Sequence, residues 1–225
     1  MNWTYILITV APALAICWYI FHKDRYEKEP LWLVVLAFGM GVFCVFPAAI
    51  GSLIGGKYFS ISGSFINTAM YAYFVVALSE EFTKFFFLRY VLFRRKEFNE
   101  PYDGIVYAIM IGMGFAAFEN ILYLSDGGLN VVLFRMVTAI PAHAIFAVSM
   151  GYHVGLAKFD LTHRDELLRK GLLFPILLHG TYDFLLMQKN IPALSVFAFI
   201  GLYYCIKNLR YILTRSNDSS PFNPL

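Results

Sequence analysis

Three ionisable residues lie inside one apolar stretch of the sequence. Glu80, Glu81 and Lys84 occur within residues 67–93, a run that is otherwise rich in Phe, Leu, Val, Ala and Tyr. A charged side chain near the centre of a bilayer costs about 2.5–3.5 kcal/mol on insertion scales, and such residues often mark functional sites. Glu80 and Lys84 are four residues apart, so they would share one face of a helix. The stretch therefore forms either an ion pair that joins helices or a catalytic centre within the membrane.

Polar side chains occur at a similar depth in three other apolar runs. They are Glu119 and Asn120 in the fourth run, His143 in the fifth, and His179 and Asp183 in the sixth. At 1.5 Å per helical residue, the ionisable groups fall in one slab between the midplane and the predicted outer face. The carboxylate of Asp183, four residues after His179, can orient that imidazole. Because lipid exposure would be costly, we expect these groups to face one another in a polar cavity.

Buried glutamates beside imidazoles can activate a water molecule for hydrolysis, and two arrangements fit. In the first, Glu119, His143 and His179 bind zinc or another divalent metal, and a water takes the fourth position. Glu80 or Glu81 would then be the base. In the second there is no metal: Glu80 and Glu119 share a proton across the water, and the two histidines stabilise the oxyanion. The predicted catalytic residues are Glu80, Glu81, Glu119, His143 and His179, supported by Lys84, Asn120 and Asp183.

The amino-acid composition is typical of a chain that lies mostly within a membrane. Its 225 residues are 59% hydrophobic and only 15% charged, with a mean hydropathy of +0.62. Soluble domains are nearer 25% charged. The net charge of +3 is too small to indicate nucleic-acid binding. Apolar runs of about 20 residues mark membrane-spanning helices. Seven runs predict an all-α, polytopic transmembrane helix bundle: 2–21, 31–54, 67–93, 104–124, 131–157, 167–187 and 191–213.

The distribution of basic residues predicts how the bundle is oriented. Lys and Arg are frequent in the first, third and fifth loops and near the C-terminus, and sparse in the second, fourth and sixth loops. The positive-inside rule then places the N-terminus outside and the C-terminus in the cytoplasm. We predict one intramembrane domain over residues 1–215 and a disordered cytoplasmic tail over residues 216–225.

These residues, in this order, resemble the motifs of the PrsW proteases, which are intramembrane proteases of the wider CAAX-protease and bacteriocin-processing superfamily. The similar motifs are Glu-Glu-x-x-Lys at Glu80–Lys84, Phe-x-x-x-Glu at Phe115–Glu119 continuing into Asn120, PAHA around His143, and His-x-x-x-Asp at His179–Asp183. The flanking stretches KDRYEKEP, YDGIVYA and GFAAFENILYL agree as well. The resemblance covers nearly the whole chain.

The resemblance implies a multi-pass endopeptidase of the bacterial plasma membrane. The founding member of that family makes the first cut in a membrane-spanning anti-sigma factor. A single-span membrane protein of this kind is therefore the expected substrate and partner within the lipid bilayer. The resemblance also implies that Glu80, Glu81 and His179 are needed for activity.

The sequence departs from the CAAX branch at two positions. Glu119 stands where that branch has His, and Asp183 stands where it usually has Asn. A CAAX-type prenyl-protein peptidase is therefore the second enzyme alternative, and a non-catalytic scaffold or transporter is the alternative from another class. Glu119 adds a carboxylate ligand, which favours the metal-dependent mechanism. The wider superfamily uses a metal-free mechanism, which favours proton sharing between Glu80 and Glu119.

Overall fold

The computed structural model describes residues 3–61, 64–188 and 191–223, and its regular elements in these ranges are all helical. Seven helices follow one another along the described chain: α1 Trp3–Lys23, α2 Leu31–Gly55, α3 65–92, α4 Pro101–Val137, α5 Ala139–Phe159, α6 Arg164–Met187 and α7 Leu194–Asp218. The prediction of an all-α helix bundle is confirmed.

Helix α3 changes its winding on both sides of its charged residues. Its consecutive segments are α-helical Phe65–Met70, π-helical Tyr71–Ala77, α-helical Leu78–Phe87 and π-helical Leu88–Leu92. The backbone keeps right-handed helical dihedrals at each junction, so the four segments form one continuous helix. π-helical turns are frequent at functional sites. Here they flank the segment that carries both glutamates and the lysine.

Helix α4 is interrupted at Gly128, where the chain reverses direction. Gly128 has a φ of 73°, which residues with a side chain rarely adopt. In an uninterrupted helix, residues 119 and 135 would be roughly 24 Å apart along the axis. Instead, Arg135 Nη2 lies 2.7 Å from Glu119 Oε2. The reversal corresponds to the connection predicted between the fourth and fifth apolar runs.

The first half of α4 forms the centre of the bundle. Every residue from Pro101 to Ala117 is buried. Helix α5 approaches it closely at Gly155, where a Cβ atom would lie 2.1 Å from the carbonyl oxygen of Pro101. Helix α2 approaches it at Gly114, where a Cβ would lie 2.1 Å from the carbonyl oxygen of Phe38. Small residues allow such backbone contacts, and close packing holds helices together in lipid.

Five helices among the described residues are long and apolar enough to cross a membrane, namely α1, α2, α4, α5 and α7. The remaining two, α3 and α6, cover the predicted runs 67–93 and 167–187 and carry ionisable residues, which makes them less apolar. The protein is therefore a multi-pass membrane protein, as predicted. The count of seven spans and their orientation stay predictions.

The C-terminal residues include the range 216–225, for which a disordered cytoplasmic tail is predicted. Helix α7 extends into this range, and two side chains beyond Arg215 contact distant segments. Asn217 Oδ1 accepts a hydrogen bond from the backbone N–H of Arg25 at 3.3 Å, and Ser220 Oγ donates to the carboxylate of Glu100. The division into one domain over residues 1–215 and a disordered tail stays a prediction. The last two residues lie outside the described part of the chain.

The predicted orientation can be tested in a variant that has Cys17, Cys44 and Cys205 replaced by alanine. Ser60 and Thr162 are exposed in connections predicted to lie on opposite sides of the membrane. We expect Ser60→Cys to react with a membrane-impermeant maleimide in intact cells, because it lies in a loop with few basic residues. Thr162→Cys should react only after permeabilisation. Equal labelling of both cysteines in intact cells would show the orientation to be wrong.

Candidate active site

Helices α3, α5 and α6 bring the predicted site residues together inside the bundle. Glu80, Glu81, Lys84, His143 and His179 are each no more than 8% exposed. One ligand atom from each of the two glutamates and the two histidines lies within 4.8 Å of the others. Residues almost 100 positions apart in sequence thus share one buried site, as their common depth predicted.

Lys84 lies between the two glutamates of its own helix. Its Nζ is 2.8 Å from Glu81 Oε1 and 3.4 Å from Glu80 Oε2, and it also lies 3.5 Å from His143 Nδ1. The ring of Phe115 is 4.0 Å from the same ammonium, a cation–π contact. One buried cation thereby offsets part of the charge of two buried carboxylates. Burial of these carboxylates without a cation would be strongly unfavourable.

The imidazole of His179 is held on three sides. Its Nδ1 lies 2.9 Å from Glu81 Oε1, and its Nε2 lies 3.4 Å from Asp183 Oδ2. Phe146 stacks on the ring with centroids 4.7 Å apart and an interplanar angle of 15°. The contact with Asp183 agrees with the sequence spacing. The closer partner is Glu81, which spacing along α6 could not predict.

Glu119 belongs to an adjacent group centred on Arg135. Glu119 Oε2 accepts a hydrogen bond from Arg135 Nη2 at 2.7 Å and lies 3.1 Å from His143 Nε2. Arg135 Nε also donates to Asn120 Oδ1 at 2.8 Å, and the guanidinium lies 3.7 Å from the centre of the Tyr123 ring. Sequence reasoning did not place Arg135 in the site. A charge within an apolar run was the available signal, as it was for the glutamates of α3.

A cavity of about 530 Å³ lies beside both groups. Ligand-binding cavities commonly have volumes of roughly 300–1,000 Å³. Its wall combines apolar and tyrosine residues with six acidic, basic or imidazole side chains: Glu80, Glu119, Arg135, His143, His179 and Asp183. Glu81, which is 0% exposed, is held behind this wall by Lys84 and His179. The two neighbouring glutamates therefore differ in environment, because Glu80 reaches the cavity and Glu81 does not.

The four clustered side chains form a donor set that fits a divalent metal. They are two carboxylates and two imidazoles, Glu80, Glu81, His143 and His179. Glu81 Oε2 is buried and has no hydrogen-bond partner, an arrangement that costs free energy unless a cation or donor satisfies it. The sequence-based set of Glu119, His143 and His179 shares two of these residues, while Glu119 is engaged by Arg135.

Fold and site together define a class of protein, a multi-pass membrane protein with a glutamate–histidine centre suited to hydrolysis inside its helix bundle. The chain belongs to the PrsW family of intramembrane metalloproteases, whose family model matches residues 29–207. This range contains every residue of both groups. The protein is therefore an intramembrane protease.

Several known proteins of this family are similar to the chain over most of its length. Protease PrsW of Oceanobacillus iheyensis is 37% identical over 214 residues, which cover 95% of this chain and 96% of that protein. Protease PrsW of Geobacillus kaustophilus is 40% identical over 181 residues, covering 80% and 79%. Protease PrsW of Bacillus subtilis is 36% identical over 178 residues, covering 79% and 80%. No solved structure matches the chain significantly.

The buried cation Lys84 should contribute strongly to stability. We expect Lys84→Met to destabilise the protein by on the order of 3–5 kcal/mol, because it leaves two buried carboxylates without their cation. Lys170→Met is a matched control, since Lys170 pairs with Glu166 four residues before it at 2.6 Å but on an exposed surface. Its effect should stay below about 1 kcal/mol. Thermal or denaturant unfolding in detergent measures both, and equal effects would contradict the role of Lys84.

Proposed function

We propose that this protein is a zinc-dependent endopeptidase that makes the first cut in a single-span membrane protein of the anti-sigma-factor type. One observation supports this proposal most strongly. Glu80, His143 and His179 line one cavity within the bundle, where water and a peptide segment can meet the same side chains. The family resemblance supports the substrate class, since a membrane-spanning substrate can reach a buried site from within the bilayer.

Zinc is the metal that the donor set favours. Catalytic zinc sites use three protein ligands, often two histidines and one glutamate, and keep one position open. The ion would be held by Glu81, His143 and His179. Glu80 would not be a metal ligand and would face the cavity. When bound, the zinc would polarise the scissile carbonyl group and make a water molecule a stronger nucleophile.

The protein residues would handle the proton and the orientation of the site. Glu80 would take a proton from the water as the water oxygen bonds to the carbonyl carbon. The same carboxyl would give the proton to the leaving amine as the C–N bond breaks. Glu81, bound to Lys84, would keep His179 oriented through its Nδ1. Glu119 would orient the second imidazole, that of His143, through the contact with its Nε2.

The pairing of Glu119 with Arg135 argues against the metal-free alternative. In that mechanism, Glu80 and Glu119 share one proton, because two close anions cannot both stay charged in a low dielectric. Arg135 Nη2 lies 2.7 Å from Glu119 Oε2 and compensates its charge. Glu119 can therefore stay ionised without sharing a proton.

Metal content distinguishes the two ligand sets. We expect about one zinc per chain in purified protein, lost together with activity in Glu81→Gln and retained in Glu119→Gln. Glu166→Gln, on an exposed side chain, is the matched control. Inductively coupled plasma mass spectrometry measures zinc, and thermal unfolding shows whether each variant is folded. Loss of zinc in Glu119→Gln alone would favour the sequence-based set. Full activity in metal-free, chelator-treated protein would instead support the metal-free mechanism, in which Glu80 and Glu119 share a proton.

Cleavage of candidate single-span substrates tests the function itself. Purified protein should cut such a substrate toward the outer side of its membrane region, because the site residues lie between the predicted midplane and outer face. Glu80→Gln should lower the rate at least about 100-fold without preventing folding, since Gln keeps the shape but removes the base. Mass spectrometry of the products locates the cut. A cut in the cytoplasmic segment, or cleavage by Glu80→Gln at the parent rate, would refute these assignments.

A further inference from the structure

A second cluster of carboxylates lies at the N-terminal end of α4, far from the active site. Asp24 follows α1, Glu100 precedes α4, and Asp103 lies in the first turn of α4. The three residues are 2%, 0% and 0% exposed, and one oxygen from each lies within 4.8 Å of the others. Sixteen residues of α4, or roughly 24 Å, separate Asp103 from Glu119. This cluster is therefore distinct from the catalytic group.

Only some of these oxygens have hydrogen-bond partners. Asp103 Oδ2 accepts from the backbone N–H groups of Asn99 at 2.6 Å and Glu100 at 2.8 Å, and Glu100 Oε2 accepts from Ser220 Oγ. The remaining oxygens, Asp103 Oδ1, Glu100 Oε1 and both oxygens of Asp24, are buried and accept no hydrogen bond from an N–H or hydroxyl group. Their neighbours are other carboxyl groups, Glu100 for Asp24 and Glu29 for Asp103, and a hydrogen bond within such a pair requires a bound proton.

The negative charge of the cluster also needs compensation. Burial, followed by the charge of Glu100, raises the pKa of Asp24 to about 8. A fourth carboxyl group, Glu29, lies nearby, and burial raises its pKa to about 7. Two lysines face this end of the bundle. The charge of Lys28 opposes the rise in the pKa of Asp24 without cancelling it, and Lys158 Nζ donates to the carbonyl oxygens of Phe93 and Arg95. Either bound protons or a cation must balance the cluster.

We propose that Asp24, Glu100 and Asp103 bind a hard divalent cation, Ca²⁺ or Mg²⁺, at a second site outside the catalytic centre. Donor sets made only of carboxylate oxygens favour such ions over zinc or copper. Calcium–oxygen distances are about 2.3–2.6 Å, so oxygens on opposite sides of one ion are about 5 Å apart. The spacing in the cluster is compatible with that geometry. Asp24, whose two oxygens accept no hydrogen bond from an N–H or hydroxyl group, can bind through either one or both.

The site would connect three segments that the charge distribution places on the cytoplasmic side. Asp24 belongs to the first loop, while Glu100 and Asp103 begin the central helix α4. Ser220, which donates to Glu100, belongs to the segment after α7. A bound cation would therefore hold together the end of the bundle from which α4 extends to Glu119, and we expect it to raise the unfolding temperature.

Titration of the full-length, chelator-treated protein in detergent with CaCl₂ or MgCl₂ tests this site. Isothermal titration calorimetry should detect one ion per chain, and Asp24→Asn should weaken binding at least about tenfold because it removes a ligand charge. The amide introduced by this change can still donate to Glu100, the carboxyl neighbour of Asp24, so the substitution removes the charge but can keep that contact. Glu27→Gln makes the same charge change on an exposed residue of the same loop and should bind like the parent. Glu100→Gln is a second variant, which keeps an acceptor for Ser220.

Three outcomes would overturn the proposal. The first is the absence of saturable binding of either ion to the parent at millimolar concentration. The second is unchanged binding in both Asp24→Asn and Glu100→Gln, which would locate the ion elsewhere. The third is a higher unfolding temperature of the ion-free Asp24→Asn protein together with no ion binding by the parent, which would identify a cluster neutralised by protons. A saturable increase in unfolding temperature that is lost in both variants and kept in Glu27→Gln would support the site.

Discussion

Inside the bundle, the ammonium of Lys84 lies 2.8 Å from Glu81 and 3.4 Å from Glu80, with His143 at 3.5 Å. Charges in a low-dielectric interior are tolerated only when partners of opposite charge and hydrogen bonds compensate them. The helices must therefore pack so that these groups meet one another and not lipid. The same requirement applies to Glu119, which faces Arg135. Both groups combine buried or partly buried carboxylates with a compensating cation.

Helix packing meets this requirement through close backbone contacts. Helix α4 is buried along its first half, and glycines let α2 and α5 approach it from different sides. Helix α6 approaches the first π-helical segment of α3 at Gly180, where a Cβ would lie 2.3 Å from the ring of Tyr73. Gly180 follows His179 directly, so this contact sets the distance between His179 and the glutamates of α3. A larger residue at this position would separate the two helices that carry the site.

The sequence by itself determined the helices and the relative heights of the buried ionisable groups. Apolar runs of about 20 residues form membrane-spanning helices, because backbone N–H and C=O groups in lipid must form their hydrogen bonds within the segment. The fixed rise per residue then places Glu80, Glu119, His143 and His179 at one level. Hydropathy and helical rise are local properties of each segment. The helical architecture, and the proximity of these residues, could therefore be predicted. The order of the motifs also identified the family.

Only the tertiary structure decided which side chain faces which. Glu80 and Glu81 differ by about 100° around a helix axis, so the rotation of α3 decides which one reaches the cavity. The π-helical turns change that rotation, and regular periodicity cannot follow it. The reversal at Gly128 brings Arg135 back to Glu119, and Asn217 and Ser220 of the C-terminal segment contact Arg25 and Glu100. Each of these results depends on distances between segments far apart in the chain, which hydropathy and spacing do not contain.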